Sequence, residues 1–150
     1  MTNAAPAHAE IDVLDAAARL FRQKGYAATS VREIAAAAGM LPGSLHYRFA
    51  SKESLLVALM ERAIARLIDA VQSAIATTHD SVDRVRLGLR AHLRLLLSGD
   101  DSVYVLLYDF RALQRDDARL AMERLRGRYE SFWDGILYEA AGTGRVRAGV

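Results

Sequence analysis

The residues from Thr29 to Lys52, TSVREIAAAAGMLPGSLHYRFASK, decide the fold of this 150-residue chain. They predict two short helices separated by a glycine turn, followed by the start of a longer helix. Thr29 or Ser30 can cap the first helix, and Gly39 can take the left-handed conformation that ends it. Pro42 suits the first position of the second helix. This arrangement suits insertion into a DNA groove better than it suits a catalytic cleft.

The second helix, predicted over residues 42–48, has a buried and an exposed side. Leu45 and Phe49 are four residues apart and can pack together on the preceding helices. A helix fits the major groove of DNA, and the small Gly43 lets its backbone approach closely. The side chains that stay wholly or partly exposed are those of Ser44, His46, Tyr47 and Arg48.

The rest of the chain also predicts helices. Hydrophobic residues make up 52% of the chain and charged residues 25%, which is typical of a folded protein. There are only two prolines, which favours helix nearly throughout. Besides residues 42–48, the predicted helices cover about residues 10–24, 31–38, 52–77, 82–97, 102–113 and, after a cap at Asp116 or Asp117, up to about 140.

These helices predict an all-α protein with three parts. Residues 1–9 are expected to form a flexible tail, and residues 10–54 a three-helix, helix-turn-helix DNA-binding head. A long helix joins the head to a helical body over residues 55–150. Gly127 and Gly135, inside the last helix, either allow a close helix approach or mark a weak point.

Composition excludes some classes of protein and leaves others open. The net charge is +2 and the pI about 9.1, which permits nucleic-acid binding without arguing for it. The chain has no cysteine, so a disulfide framework and a thiolate metal site are excluded. No signal peptide is visible, and no apolar run approaches the roughly 18–20 residues of a membrane span. We therefore expect a cytoplasmic protein without a metal or a cofactor.

Short motifs within residues 10–60 recur at the offsets of a known family. They are F-x-x-K-G-Y-x-x-T at 21–29, I-A-x-x-A-G at 34–39, G-S-L at 43–45 and F-x-S-K-E-x-L at 49–55. Together they resemble the DNA-binding head of TetR-family bacterial transcriptional repressors. The remaining 90 or so residues resemble that family only in their helical pattern.

The resemblance implies which residues bind DNA. It implies phosphate contacts for Thr29 and Lys52, and a base or phosphate contact for Arg32. Arg32 could instead pair with a carboxylate. The complete predicted set is Thr29, Ser30, Arg32, Leu41, Pro42, Gly43, Ser44, His46, Tyr47, Arg48 and Lys52.

Two positions depart from the family pattern, and both lie on the exposed side of the second helix. The family usually has tyrosine where this chain has His46, and histidine where it has Arg48. A base preference cannot therefore be carried over. Because a short helix reads few bases, we expect a homodimer on a palindromic double-stranded operator. In the alternative interpretation, His46 and Tyr47 are ordinary surface side chains.

The predicted body is rich in large apolar groups, most of which could simply be core. Asp109 and Arg111 are charges in the apolar segment SVYVLLYDFRAL, and either face solvent or fix the polar head of a ligand. By analogy with the family, we expect a repressor that an effector releases from DNA. The expected effector is a mostly apolar small molecule, such as an acyl thioester or a lipid-like acid. The candidate ligand-binding residues are Tyr104, Tyr108, Arg111, Phe132 and Trp133.

Length and missing motifs complete the interpretation. The resemblance implies that the body over residues 55–150 binds a ligand and dimerises. Members of the family commonly continue for two more helices that form the dimer interface. Either this protein is truncated or dimerises differently, or, as we expect, those residues are missing after Val150. The alternatives to a transcriptional regulator are a helical interaction protein without specific DNA binding and, less well supported, an enzyme. The chain lacks H-E-x-x-H, a phosphate-binding glycine loop and G-x-S-x-G, which argues against an enzyme.

Overall fold

The computed structural model describes the backbone of residues 5–144 and the side chains of residues 13–109 and 111–144. Over this part of the chain every regular element is a helix, so the predicted all-α class is confirmed. The elements are α1 (Ala5–Lys24), α2 (Val31–Ala37), α3 (Pro42–Arg48), α4 (Lys52–Ile75), α5 (Ser81–Leu96), α6 (Asp101–Tyr108), a 3-10 turn (Phe110–Ala112) and α7 (Asp116–Ala141). Among the described residues, no helix is both long enough and apolar enough to cross a bilayer.

Two predicted boundaries are wrong. The helix predicted from about residue 10 begins at Ala5, so it includes part of the predicted tail. This start is rich in alanine, and a proline is tolerated in the first turn, where its missing N–H has no helical partner. Residues 1–4 lie outside the described residues. The helix predicted over 102–113 ends at Tyr108, after which the chain tightens into a 3-10 turn through an Ala112 N–H to Asp109 carbonyl bond of 2.9 Å.

The helices form two compact units. The first unit contains Met1–Ala63 and Asp101–Met122, and the second contains Ile64–Asp100 and Glu123–Val150. Packing therefore places α6 and the start of α7 with the predicted DNA-binding head, instead of dividing the chain near residue 54. The assignment of DNA binding to residues 10–54 and of ligand binding and dimerisation to residues 55–150 concerns function and stays a prediction.

A continuous apolar core fills the first unit. It draws residues from α1 to α4, from α6 and from the start of α7, which together support the short α2 and α3. The sequence also predicts Ile11 on the apolar face of the first helix, but its side chain lies outside the described residues. The largest side chains that are almost fully buried in this core are Phe21, Ile34, Leu45, Leu55, Leu56, Leu59 and Met60.

The second unit has a smaller buried cluster, made by Val71, Ile75 and Ile136 with Val85, Phe132 and Trp133 packed against it. Its close helix approach occurs at Gly88 of α5. A Cβ there would lie 3.2 Å from a Val71 methyl, and 3.3 Å from both Ile75 and Trp133.

The predicted close approach at Gly127 or Gly135 is not found. No side chain or neighbouring element among the described residues comes within 4 Å of a Cβ built at either position.

Candidate functional site

The start of α2 is fixed by a reciprocal capping box. The Ser30 hydroxyl accepts a hydrogen bond from the Glu33 N–H at 3.2 Å, and the Glu33 carboxylate accepts one from the Ser30 N–H at 2.8 Å. Lys24 donates to the same carboxylate at 2.7 Å. The hydrogen bond from Lys24, followed by those from Ser30, lowers the pKa of Glu33 to about 2. Of the two predicted caps, Ser30 is the one observed.

The turn between α2 and α3 uses the glycine that the sequence indicated. Gly39 has φ of +67°, and the Met40 N–H donates to the Ala35 carbonyl at 2.8 Å. Helix α3 then begins at Pro42, as predicted. Leu45 is fully buried and anchors this helix on the first-unit core. The anchored side leaves the opposite side of α3 facing solvent.

The exposed side of α3 carries large side chains that face solvent. The Tyr47 side chain is 94% exposed and that of Leu41 is 76% exposed. Arg48 is half-buried. The other predicted DNA-binding residues of this helix are all exposed, namely Pro42, Gly43, Ser44 and His46.

The charge of this surface is favourable for an anion. No Asp or Glu occurs between residues 34 and 52, whereas Arg32 and His46 are exposed and Arg48 is partly so. Of the two acids that flank this range, Glu33 is paired with Lys24 and Glu53 with Arg115. Among the described side chains Arg32 has no carboxylate partner, so its alternative role in an ion pair is not observed.

Thr29 is buried, and its predicted phosphate contact stays a prediction. Its side chain is only 1% exposed, and its hydroxyl donates to the Gly25 carbonyl at 2.9 Å. The hydroxyl is thus already engaged within the loop between α1 and α2. Thr29 therefore stabilises the loop and does not form part of the exposed surface.

Lys52 makes contacts within the first unit, and its predicted phosphate contact stays a prediction. Its ammonium donates to the backbone carbonyls of Tyr26 at 2.8 Å and of Thr29 at 2.9 Å. It lies 4.3 Å from the centroid of the Tyr26 ring, a cation–π contact. Burial, and then the nearby charge of Glu53, raise the pKa of Tyr26 to about 12. The ammonium thus ties α4 to the loop before α2, and a phosphate would have to compete with these carbonyls.

Glu53, which sequence reasoning did not select, holds α4 to the start of α7. Its carboxylate accepts hydrogen bonds from the backbone N–H groups of Gln114 at 2.6 Å and Arg115 at 3.3 Å. These N–H groups lie just before α7, where a helix end has no backbone acceptor to offer them. The only sequence signal was the acid in the first turn of α4, because the acceptor and the donors are about 60 residues apart.

The ligand-binding residues predicted on α6 are exposed. Tyr104 and Tyr108 are 37% and 64% exposed, and their ring centroids are 4.6 Å apart. The Arg22 guanidinium lies 5.2 Å from the Tyr104 ring. Arg111 is exposed on the 3-10 turn. Burial raises the pKa of Asp109, and its Oδ2 has no hydrogen-bond partner among the described residues.

The other two predicted ligand-binding residues, Phe132 and Trp133, belong to the second unit. Trp133 packs against Gly88 and edge-on against the His92 ring, with centroids 5.8 Å apart. His92 also forms a hydrogen bond through Nδ1 with the Tyr129 hydroxyl, and burial lowers the pKa of His92. Trp133 is therefore a packing residue, whereas Phe132 lines a cavity.

That cavity lies in the second unit and measures about 470 Å³. Ile75, Phe132 and Ile136 supply apolar walls. Arg84 lies 3.5 Å from Glu139 across the cavity rim, and the Arg84 Nε is buried without a hydrogen-bond partner among the described residues. An apolar cavity with a guanidinium Nε that lacks a hydrogen-bond partner is suited to an apolar molecule that carries an acidic or carbonyl group. The remaining lining residues are Gln72, Ala76, Thr78, His79 and Gly135.

Comparison with known proteins places the head in a defined family. Residues 13–59 match the sequence model of the family described as bacterial regulatory proteins, tetR family. The matched residues run from α1 into α4 and include all of α2 and α3.

Solved structures share the fold over nearly the whole chain. PfmR, a TetR family transcriptional regulator from Thermus thermophilus, is 30% identical with a TM-score of 0.77, over 92% of this chain and 75% of PfmR. AibR, solved in complex with isovaleryl coenzyme A and operator DNA, is 27% identical with a TM-score of 0.78, over 94% and 76% of the two chains. The superantigen PfiT is 32% identical with a TM-score of 0.87, over 99% and 78%.

Proposed function

Because this chain belongs to the TetR family of bacterial regulatory proteins, we propose that it is a ligand-responsive transcriptional regulator, and specifically a repressor. The DNA-binding part of this proposal rests on one observation, the contrast in exposure between Tyr47 and Leu45. Tyr47 is 94% exposed on a helix that fully buries Leu45 on its other side. A fold that anchors a short helix firmly and turns its aromatic side chain outward is suited to placing that side chain against a partner.

The chemistry of α3 supports DNA as that partner. Gly43 and Ser44 have small side chains, so the helix backbone can approach the edges of bases in the major groove. Arg32 and Arg48 can donate two hydrogen bonds to guanine or to a phosphate. Since residues 34–52 contain no carboxylate, the phosphates meet no like charge on this helix.

One copy of α3 is too short to select a unique operator. Its seven residues span about 10 Å, which covers only a few base pairs. Two heads related by a two-fold axis would read two half-sites in successive major grooves. We therefore propose a homodimer on a palindromic operator, acting in the cytoplasm, where a bacterial chromosome lies. The family relationship favours regulation over catalysis.

For the effector, we propose an acyl thioester or a lipid-like acid. AibR was solved with isovaleryl coenzyme A, which supports the thioester for this chain by relationship. The 470 Å³ cavity of the second unit lies within the range of pockets that hold small molecules. Its apolar walls would take the acyl chain. The Arg84 guanidinium would donate to the thioester carbonyl or to a carboxylate.

Release of the operator requires that the effector bind two states of the protein with different affinities. Helix α4 contributes residues 52–63 to the first unit and residues 64–75 to the second. A shift of α4 on filling the cavity would disturb the bonds of Lys52 and Glu53 in the first unit. The Lys52 bonds hold the loop before α2, and the Glu53 bonds hold the start of α7. A coupling free energy of about 1–3 kcal/mol would lower operator affinity roughly 5- to 150-fold.

Selection from a pool of random DNA duplexes tests the DNA-binding part. The expected result is enrichment of a two-fold symmetric sequence at a stated salt concentration. Binding that enriches no sequence and disappears at moderate salt would instead favour a helical protein without specific DNA binding. The 32% identity to the superantigen PfiT makes this outcome informative, since one fold hosts different functions.

Titration of the DNA complex with acyl thioesters of increasing chain length tests the effector part. The expected result is loss of operator binding with the wild type and a weakened response in Arg84→Ala. Arg86→Ala is the matched control, because Arg86 lies two residues away on α5, is 74% exposed and does not line the cavity. An equal loss of response in both variants would contradict the role of Arg84.

A further inference from the structure

The turn between α2 and α3 presents apolar side chains to solvent. Residues 34–43 read IAAAAGMLPG, so no side chain in this stretch has a nitrogen or an oxygen atom. The side chains of Ala36, Ala37, Leu41 and Pro42 are nevertheless exposed. A molecule that meets this turn therefore meets only apolar side chains and the backbone.

Leu41 is the largest exposed side chain of this turn, and it contributes little to stability. It is 76% exposed and occupies the N-cap of α3 without forming a cap hydrogen bond. Leucine is among the least favoured residues at an N-cap, where serine, threonine, aspartate and asparagine are favoured. The chain uses favoured residues elsewhere, because Ser30 caps α2 and Asp80 caps α5 through hydrogen bonds. A residue that breaks a local rule in this way indicates a functional role.

Leu41 lies on the surface that the proposed function assigns to DNA. Its carbonyl accepts hydrogen bonds from the N–H groups of Ser44 at 3.0 Å and Leu45 at 3.2 Å, so it belongs to the first turn of α3. Residues three and seven positions apart lie on one side of a helix, which places Leu41 in line with Ser44 and Arg48. Residues 34–52 contain no carboxylate, so the phosphates of DNA meet no like charge there.

The chemistry of the major groove indicates which base Leu41 would favour. Each base pair presents hydrogen-bond donors and acceptors there, and the one apolar group among them is the C5 methyl of thymine. A leucine side chain against a donor or an acceptor leaves that polar group without a partner, which costs free energy. Against a methyl, it removes apolar surface from water on both sides of the contact. Thymine is therefore the base that gains from a leucine.

We propose that Leu41 contacts the C5 methyl of one thymine in each half-site of the operator and thereby determines that base. The inference rests on the proposed function, and it deepens that function by naming one base of the sequence that the protein selects. The contact involves no hydrogen bond. Its signature is a dependence of affinity on a methyl group that takes no part in base pairing.

Replacement of thymine by uracil tests the contact, because it removes this methyl and keeps every hydrogen-bonding group of the base. The palindrome selected from random DNA is synthesised with its thymines replaced one symmetric pair at a time. The dissociation constant of the full chain is then measured at one salt concentration. Burial of one methyl group strengthens binding roughly fourfold. At one symmetric position, loss of both methyls is therefore expected to weaken wild-type binding about 15-fold.

Two substitutions of Leu41 assign the methyl dependence to this side chain. Leu41→Ala is expected to bind the thymine and uracil duplexes equally at that position. Leu41→Ser is expected to lose the methyl dependence in the same way and to raise the thermal unfolding midpoint, because a hydroxyl can accept a hydrogen bond from a backbone N–H of the first turn of α3. An effect on DNA binding that accompanies higher stability does not come from damage to the fold.

Leu97→Ala is the matched control, because Leu97 is also a largely exposed leucine but belongs to the second unit. It is expected to keep the full methyl dependence. A selected palindrome without thymine in its half-sites, or a wild type that is indifferent to every methyl, would overturn the inference. Methyl dependence that persists in both Leu41 variants would also overturn it. If the wild type selects no sequence at all, the proposed function fails and this inference fails with it, whereas a selected palindrome bound without methyl dependence removes the inference alone.

Discussion

The two units of this chain use their apolar residues in opposite ways. In the first unit a continuous core reaches from α1 to α4 and includes α6 and the start of α7. In the second, the buried cluster is three residues, while leucines of α5 remain exposed. The first unit therefore supports α3 through its own core, whereas the second unit buries less apolar surface and leaves leucines of α5 exposed.

The largest effect is expected from a leucine truncation, compared between the two units by the loss in the free energy of unfolding. Leu45→Ala removes a fully buried side chain and should lower the free energy of unfolding by about 2–5 kcal/mol. Leu93→Ala removes a half-exposed one and should change it by about 0.5 kcal/mol or less in the monomer. Urea unfolding followed by far-UV circular dichroism, at dilute protein, measures both. Equal losses would remove the contrast between the units.

A second substitution tests how tightly the small cluster of the second unit is packed. Gly88→Val inserts side-chain atoms where a Cβ already lies 3.2–3.3 Å from three neighbours, and should cost about 1–3 kcal/mol. Gly135→Ala meets open space and should stabilise α7 by up to about 1 kcal/mol. Trp133 is the only tryptophan, so its fluorescence follows the second unit. An unchanged midpoint for Gly88→Val would mean that this cluster is loosely packed.

A pair of cation substitutions separates structural from DNA-contacting charge within the first unit. Lys52→Met removes bonds to two carbonyls and should lower stability by about 1–2 kcal/mol. Arg32→Met removes an exposed cation and should weaken DNA binding while leaving stability unchanged. Thermal unfolding and DNA titration of both variants measure the difference. If Lys52→Met instead weakened DNA binding and left stability unchanged, Lys52 would be mainly a phosphate ligand.

The smallest expected effect is a dependence of stability on pH at the start of α2. The folded pKa of Glu33 is about 2, below its ordinary value of 4.5. The stabilisation that this carboxylate provides is therefore complete above about pH 4.5 and is lost as the pH falls towards 2. In Glu33→Gln, the fall of the unfolding midpoint between pH 5 and 2 should be shallower. Parallel curves for the two proteins would show that the capping box contributes nothing measurable.

Local chemistry made the head predictable. Ser30, Gly39 and Pro42 set the limits of α2 and α3, because caps and glycine turns depend on neighbouring residues only. The core positions Leu45 and Phe49 followed from helical spacing in the same way. The exposed side of α3 was thus predicted residue by residue, although its role in DNA binding stays a prediction.

Contacts between distant residues were not predictable in the same way. Thr29 and Lys52 were expected at the surface, but their polar groups bond to the loop between α1 and α2. The ligand candidates stay a prediction, and they fall in both units, because aromatic content does not say which unit an aromatic side chain joins. Arg84 gave no local signal at all. Its position at the cavity depends on how α4, α5 and α7 pack within the second unit.

The central claim is that the exposed side of α3 selects a DNA sequence, and Tyr47 tests it most directly. The measurement is the ratio of affinities for the selected palindrome and for unrelated DNA, at one salt concentration, in the wild type and in Tyr47→Ala. Tyr108→Ala is the control, because this tyrosine is also largely exposed but lies on α6. The account predicts that Tyr47→Ala lowers the ratio roughly tenfold or more, at unchanged stability, while Tyr108→Ala preserves it. An unchanged ratio in Tyr47→Ala would contradict the account.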